Sequence, residues 1–374
     1  MSRAWTFAMA GGGTGGHVIP CLAVARELSR RGHRPFFIGT RRGLEARLVP
    51  AAGFPIEWIE VGGLQRVGLR QAARTLWQLP FSIARVLGIF RRWRPAAVFS
   101  MGGYVAAPVM AAALLARVPY LVMEPNAVPG LASRRFGRFA ARVLVNFPET
   151  AAWFPTGRAE VSGLPVREEF FSIPPKPRGS EFVLLITGGS QGSRRLNQAA
   201  RESWPLFRAA HTPIRFLHQT GPAEHGELAR EFAASGLQGD VVAFIEDMPS
   251  ALGAADLVVC RAGAGAVAEL AAAGRPAILV PFPYAADDHQ LKNAEAAARV
   301  GAARLVPDGE LTGERLFREV TELASRPDRL EEMGRAARTL ARPDAARHAA
   351  DRLEEAAAGR RNVDTAPQRL NNTR

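Results

Sequence analysis

With 374 residues, 47% of them hydrophobic, the chain has material for two globular cores and cannot be disordered as a whole. Its only cysteines, Cys21 and Cys260, have no motif spacing, which excludes a disulfide framework and leaves them as packing groups of a reduced, cytoplasmic protein. The net charge of +13 is uneven: residues 1–165 carry 21 Arg and Lys against 7 Asp and Glu, a balance of +14, and the remainder is close to neutral. A basic half points to an anionic partner, whether nucleic acid, an acidic leaflet or a phosphorylated substrate.

Short apolar runs alternate with amphipathic stretches along the chain, which predicts α/β architecture with parallel sheets. The opening residues run straight into a strand without a signal-peptide plan. Strands are predicted at Trp5–Ala10, Pro35–Gly39, Ile56–Val61, Ala97–Ser100, Tyr120–Met123 and Arg142–Asn146, with helices such as Ile19–Arg31 and Val105–Ala116 between them. The longest apolar stretch, Ala106 to Met123, is broken by Arg117 and two prolines and is too interrupted to span a membrane. A stiff linker over residues 163–180, with Ile173-Pro174-Pro175-Lys176-Pro177 at its centre, divides a first domain (1–162) from a second (181–357). The second domain restarts the pattern with strands at Glu181–Thr187, Ile214–Gln219, Val241–Ile245, Leu257–Cys260, Ala277–Val280 and Arg304–Val306. Residues 310–357 read as helical throughout, and 358–374 as a disordered tail. Each half opens with strand, glycine-rich turn and helix, which predicts two Rossmann-like doubly wound domains facing a cleft.

The chemistry is expected in the turns. Gly11-Gly12-Gly13-Thr14-Gly15-Gly16-His17 joins the first strand to the first helix, where glycines admit a ligand to the backbone and the helix start favours an anion. It formally satisfies a dinucleotide fingerprint, but the acid wanted after the second strand is replaced by Gly39-Thr40-Arg41-Arg42. His17 is a candidate base toward an acceptor hydroxyl or a donor to an anion. The loop Ser100-Met101-Gly102-Gly103-Tyr104 and the strand end Met123-Glu124-Pro125-Asn126 are expected near it. Glu124 is a second candidate base, although a helix-capping carboxylate fits the same pattern. In the second half, Arg261-Ala262-Gly263-Ala264-Gly265-Ala266-Val267-Ala268-Glu269 reads as a strand end, a small-residue turn and a helix. Its amides suit a diphosphate, and Glu269 can grip a ribose diol. The polar loop Pro281–Ala294 is rich in groups that recognise sugar hydroxyls. No cluster has metal-ligand spacing, and no cofactor is expected.

These motifs in this order resemble the MurG family, the undecaprenyl-diphospho-muramoylpentapeptide N-acetylglucosaminyltransferases that form lipid II, over about residues 5 to 350. The resemblance implies a GT-B-type fold and inverting transfer of N-acetylglucosamine from UDP-N-acetylglucosamine to the muramoyl 4-hydroxyl of lipid I, with no obligatory metal. It implies donor contacts from Thr14, Gly15, Gly16, Asn126, Arg167, Ser190, Ile245, Ala264, Gly265, Ala266, Val267, Ala268, Glu269 and Gln290. The family pattern His-Glu-Gln-Asn is Met123-Glu124-Pro125-Asn126 here, so a role for that histidine or glutamine does not carry over. The resemblance also implies a peripheral protein on the cytoplasmic face of the cell membrane, working beside other cell-wall synthesis proteins.

Residues 69–93 combine Leu76, Trp77, Leu79, Phe81, Ile83, Val86, Leu87, Ile89, Phe90 and Trp93 with Arg70, Arg74, Arg85, Arg91, Arg92 and Arg94, kinked or divided by Pro80. An apolar face rimmed by arginine suits an anionic membrane surface; a buried crossover helix with solvated arginines is the alternative. Two other functions are weaker. An NADP-dependent oxidoreductase would leave the second glycine loop and Arg261–Glu269 unexplained. For a basic membrane- or nucleic-acid-binding module, no nucleic-acid motif is present.

Overall fold

The computed structural model describes residues 4–61, 69–177 and 181–364. The chain divides into two compact units, each an α/β domain built on one parallel sheet. In the first, strands β1 (Thr6–Ala10), β2 (Arg34–Gly39), β3 (Ile56–Trp58), β4 (Ala97–Ser100), β5 (Tyr120–Glu124), β6 (Arg142–Val145) and β7 (Ala159–Val161) lie in the order β3-β2-β1-β4-β5-β6-β7. Helices α1 (Gly15–Arg30), α2 (Glu45–Ala51), α3 (Leu69–Trp93), α4 (Gly103–Leu115) and α5 (Leu131–Phe136) make the crossovers. The central strands are apolar on both faces because helices cover both: Phe7, Met9, Val98, Phe99, Leu121 and Val122 are fully enclosed.

The second unit repeats the plan. Strands β8 (Phe182–Thr187), β9 (Ile214–Gln219), β10 (Gln238–Val242), β11 (Leu257–Cys260), β12 (Ala277–Leu279) and β13 (Ala303–Leu305) are ordered β10-β9-β8-β11-β12-β13. Helices α6 (Arg194–Ala209), α7 (His225–Ser235), α8 (Met248–Ala254), α9 (Ala264–Ala273), α10 (His289–Arg299), α11 (Gly313–Ala324) and α12 (Pro327–Leu340) surround it. Leu184, Ile186, Phe207, Phe216, Val259 and Ile278 form its core.

Four readings need correction. Residues 310–357 are not one helical run: α11, α12 and a last helix, α13 (Ala345–Asp364), are separated near Pro327 and Pro343, where proline cannot continue a preceding helix. The unit boundaries also differ from 1–162 and 181–357. Residues from Asp344 on belong to the first unit, and Asn126–Val128 to the second. The buried face of α13, with Ala349, Ala350, Leu353 and Ala357, explains its placement, and ion pairs fasten it: Arg31 donates to Asp351 at 2.6 Å and Glu354 at 3.1 Å, and Arg352 to Glu160 at 2.9 Å. Helix α13 also continues through Asp364 into the expected tail, whose remainder lies outside the described residues.

Third, the linker is strapped down. The buried Arg275 donates to the Pro174 carbonyl at 3.0 Å and Arg338 to that of Ile173 at 2.7 Å, so these residues join the second unit. Fourth, two strands were misjudged. Edge strand β10 begins at the polar Gln238 rather than at Val241, and β7 had no apolar run to announce it. Cys21 and Cys260 are buried, and desolvation pushes both thiols up, that of Cys260 to about 12, as packing groups require.

Candidate active site

In each unit the strand order reverses beside the first strand, between β1 and β4 and between β8 and β11. Connections from these neighbours leave toward opposite faces, so a crevice opens at their carboxyl ends, where open α/β sheets bind ligands. The turns that leave those four strand ends are Gly11–Thr14, Met101–Gly102, Gly188–Ser193 and Arg261–Gly263. They are the turns in which the sequence concentrates glycine and polar groups.

In the first unit the two glycine turns touch. Gly103 lies so near His17 that an added Cβ would stand 3.5 Å from Nδ1. Thr14 caps α1 by position, and its carbonyl accepts the amides of His17 and Val18 at 3.1 Å. Its hydroxyl meets His17 Nδ1 at 3.3 Å, which orients the ring. Thr14 and Gly16 are exposed and Gly15 is half-buried, so the start of α1 is open to a ligand. Glu124 closes β5 and is 2% exposed. One of its oxygens accepts the Gly130 amide at 3.1 Å, just before α5.

In the second unit, α9 begins at Ala264 with Gly263 as its cap and no side-chain cap bond. The first amides of a helix have no partner within it, so Ala264, Gly265 and Ala266 present donors where the dipole favours an anion. Val267 already donates to the Gly263 carbonyl at 3.0 Å. Glu269 follows in the second turn, with Ala268 beside it. Burial raises its pKa from 4.5 to about 7, while Arg167 pulls it down. Arg167 also lies 4.8 Å from the Phe170 ring centre. Ser190 is exposed on the glycine turn after β8. Gln290, in the first turn of α10, accepts the Phe282 amide at 2.9 Å and so holds the loop that begins at Pro281 to that helix.

Gln219 and Asp308 had no motif to reveal them, and the partners of Asn293 and Arg261 were not legible from theirs. Gln219 accepts the Ile245 amide at 2.8 Å and donates to the Gly189 carbonyl at 2.8 Å, joining Ile245 to the glycine turn. Asn293 is fully buried; it donates to Asn126 Oδ1 at 3.2 Å and accepts the Ala127 amide at 2.9 Å, which draws residues 126–128 into the second unit. Asp308 accepts Arg261 Nη1 at 2.6 Å, and Arg261 Nε donates to Ser193 at 3.1 Å, so β11, the glycine turn and the segment after β13 are tied together. Among the described residues no group of three His, Cys, Asp or Glu is arranged to hold a metal.

Helix α3 divides the apolar residues of 69–93 into two sets. Val86, Ile89 and Phe90 are buried in the first core, as in an ordinary crossover helix, with Ile83, Leu87 and Trp93 partly buried against it. Trp77 and Phe81 point away, 74% and 65% exposed, with their rings 6.2 Å apart, and Arg85, Arg91 and Arg92 are exposed too. Arg70, Arg74 and Leu76 lie outside the described side chains. No described helix is long and apolar enough to cross a membrane.

The N-terminal and C-terminal domain models of glycosyltransferase family 28 match residues 7–145 and 183–349. A protein of Solibacter usitatus, named UDP-N-acetylglucosamine--N-acetylmuramyl-(pentapeptide) pyrophosphoryl-undecaprenol N-acetylglucosamine transferase, is 61% identical over 357 residues, 95% of this chain and 97% of that one. One of the same name from Methylococcus capsulatus is 46% identical over 350 residues, 93% of this chain and 98% of that one. The crystal structure of Acinetobacter baumannii MurG matches with a TM-score of 0.78 at 32% identity, covering 94% of this chain and 99% of that one. Likeness this extensive, through both domains and nearly end to end, means that the chain belongs to glycosyltransferase family 28 and, within it, to the MurG family.

Proposed function

We propose that this glycosyltransferase moves N-acetylglucosamine from UDP-N-acetylglucosamine to the muramoyl 4-hydroxyl of lipid I, with inversion, and so forms lipid II. The observation that carries the reading is the start of α9, where the first amides and Glu269 offer a diphosphate cradle and a ribose acceptor within two turns of helix. In the reaction the acceptor oxygen bonds to C1 of the sugar as the bond from C1 to the diphosphate breaks, and UDP leaves with the bonding pair. The proton of the hydroxyl passes to His17 or Glu124. Arg167 and the helix-start amides of Ala264, Gly265 and Ala266 offset the growing charge on the leaving diphosphate. Thr14, Gly15, Gly16, Asn126, Ser190, Ile245, Val267, Ala268 and Gln290 are assigned to the donor, with Gln290 on the sugar.

The lipid acceptor requires the enzyme to work at a membrane. Exposed Trp77 and Phe81 beside arginines support peripheral contact with an anionic leaflet on the cytoplasmic face, where other cell-wall synthesis proteins would be its neighbours. Incubation of the protein with labelled UDP-N-acetylglucosamine and a short-chain lipid I analogue should yield labelled disaccharide and UDP in equal amounts. Hydrolysis of the donor without disaccharide, or no turnover, would refute the assignment.

A further inference from the structure

In the first unit, the place where a dinucleotide-binding domain keeps its ribose-binding acid is not empty of acid. Beyond Gly39-Thr40-Arg41-Arg42 comes Glu45, the first residue of α2 and only 1% exposed. Its carboxylate turns inward. Oε2 accepts the Gly13 amide at 2.8 Å, while Oε1 accepts the Thr40 amide at 3.0 Å and the Thr40 hydroxyl at 2.9 Å. That hydroxyl lies 3.1 Å from the Tyr104 hydroxyl, and the Tyr104 ring packs against Gly13. One carboxylate therefore joins the glycine turn after β1, the turn after β2 and, through Thr40 and Tyr104, the start of α4. The surroundings are shaped to admit it: an added Cβ at Gly12 or Gly39 would stand 2.7 Å from Glu45 atoms, and one at Gly43 only 1.9 Å.

We infer that Glu45 is a positioning residue for catalysis: it anchors Gly13 so that Thr14, Gly15 and Gly16 face outward and His17 is held through Thr14. The inference rests on the glycosyl-transfer reading for its kinetic consequence but not for its structural one. The Gly13 amide is the last before the cap of α1, and with φ of +91° the turn reverses there. With that N–H bound inward, the amides left for an anion are those that follow it. A buried carboxylate holding three donors at normal distance is among the stronger hydrogen-bonded anchors a protein builds.

Glu45→Gln preserves the shape but sets an NH₂ against one of the backbone donors. We expect kcat to fall about tenfold or more, and donor affinity to fall less, within about threefold, because Thr14, Gly15 and Gly16 share the donor with the contacts assigned to the second unit. Amide hydrogen exchange in residues 11–18 should quicken about tenfold, and exchange in α9 should not change. An unaltered kcat, or unaltered exchange in residues 11–18, overturns the inference. If the unsubstituted protein transfers no sugar, the functional reading fails while the exchange experiment still decides the role of Glu45. If Glu45→Gln does not fold, Thr40→Val against Thr40→Ser decides: loss of kcat and exchange protection in the first, with rescue in the second, supports the anchor. Identical behaviour of the two rejects it.

Discussion

Glu269 carries a charge that its surroundings oppose. Burial holds its carboxyl near pKa 7, against an ordinary 4.5, so between those values the folded chain keeps a proton that the unfolded chain has released. Stability contributed by this group is therefore present at low pH and declines as pH rises through that window. On the proposed reading the ribose hydroxyls donate to the Glu269 carboxylate, so donor binding would draw the proton off. The dissociation constant of UDP-N-acetylglucosamine should be flat above about pH 7 and rise toward tenfold per unit below it. Glu269→Gln should bind weakly at every pH, with that dependence gone. Calorimetric titrations between pH 5.5 and 8.5 check this: a constant affinity for the unsubstituted protein would show the carboxyl already ionised across the range, and an undiminished affinity in Glu269→Gln would remove Glu269 from the ribose. The sequence pointed to Glu269 because an acid on a helix after a small-residue turn is a local pattern. Glu45 escaped notice because its partner Gly13 is 32 residues away, and only the pairing of β1 with β2 brings them together.

At the scale of elements, the turn between β8 and α6 illustrates what a glycine is needed for. Gly189 and Gly192 both have left-handed backbones, with φ of +82° and +76°, but an added Cβ at Gly189 meets nothing, whereas at Gly192 it would lie 1.8 Å from the Thr220 carbonyl. Gly189→Ala should cost only backbone strain, on the order of 1–2 kcal/mol. Gly192→Ala must also push β9's exit away and should cost on the order of 3 kcal/mol or more, visible as a melting temperature several degrees lower than that of Gly189→Ala. Equal melting temperatures for the two would show that the turn yields freely. Element positions were readable where strands were buried on both faces, as at Ala97–Ser100 and Leu257–Cys260, since a continuous apolar run between turn residues has few other uses. They were misread at the edge strands β7 and β10, where one side is open to solvent and polar residues are tolerated.

For the whole molecule, the +14 of residues 1–165 and the exposed pair Trp77 and Phe81 would act on a membrane by different physics, which makes the proposed peripheral contact testable. Charge attraction is screened, with a Debye length of about 10 Å at 0.1 M salt and about 3 Å at 1 M, while apolar insertion is not. Binding to vesicles containing anionic lipid should weaken at least about tenfold between 0.05 and 0.5 M salt. The part that survives should be lost in the double substitution Trp77→Ser and Phe81→Ser. Salt-independent binding, or binding to neutral vesicles of equal strength, would refute the electrostatic contribution. The α/β class, the two-fold repetition of strand, glycine turn and helix, and the turns to which the chemistry is assigned are determined by the sequence alone, because each depends on residues within about a dozen positions of one another. Tertiary structure decided which residues stand behind those turns: Glu45 under Gly13, Gln219 between Gly189 and Ile245, Asn293 under Asn126, and α13 fastened to Arg31. Hydrogen bonds and ion pairs of that kind join segments that meet only after sheets and helices have packed, and no local pattern records the meeting.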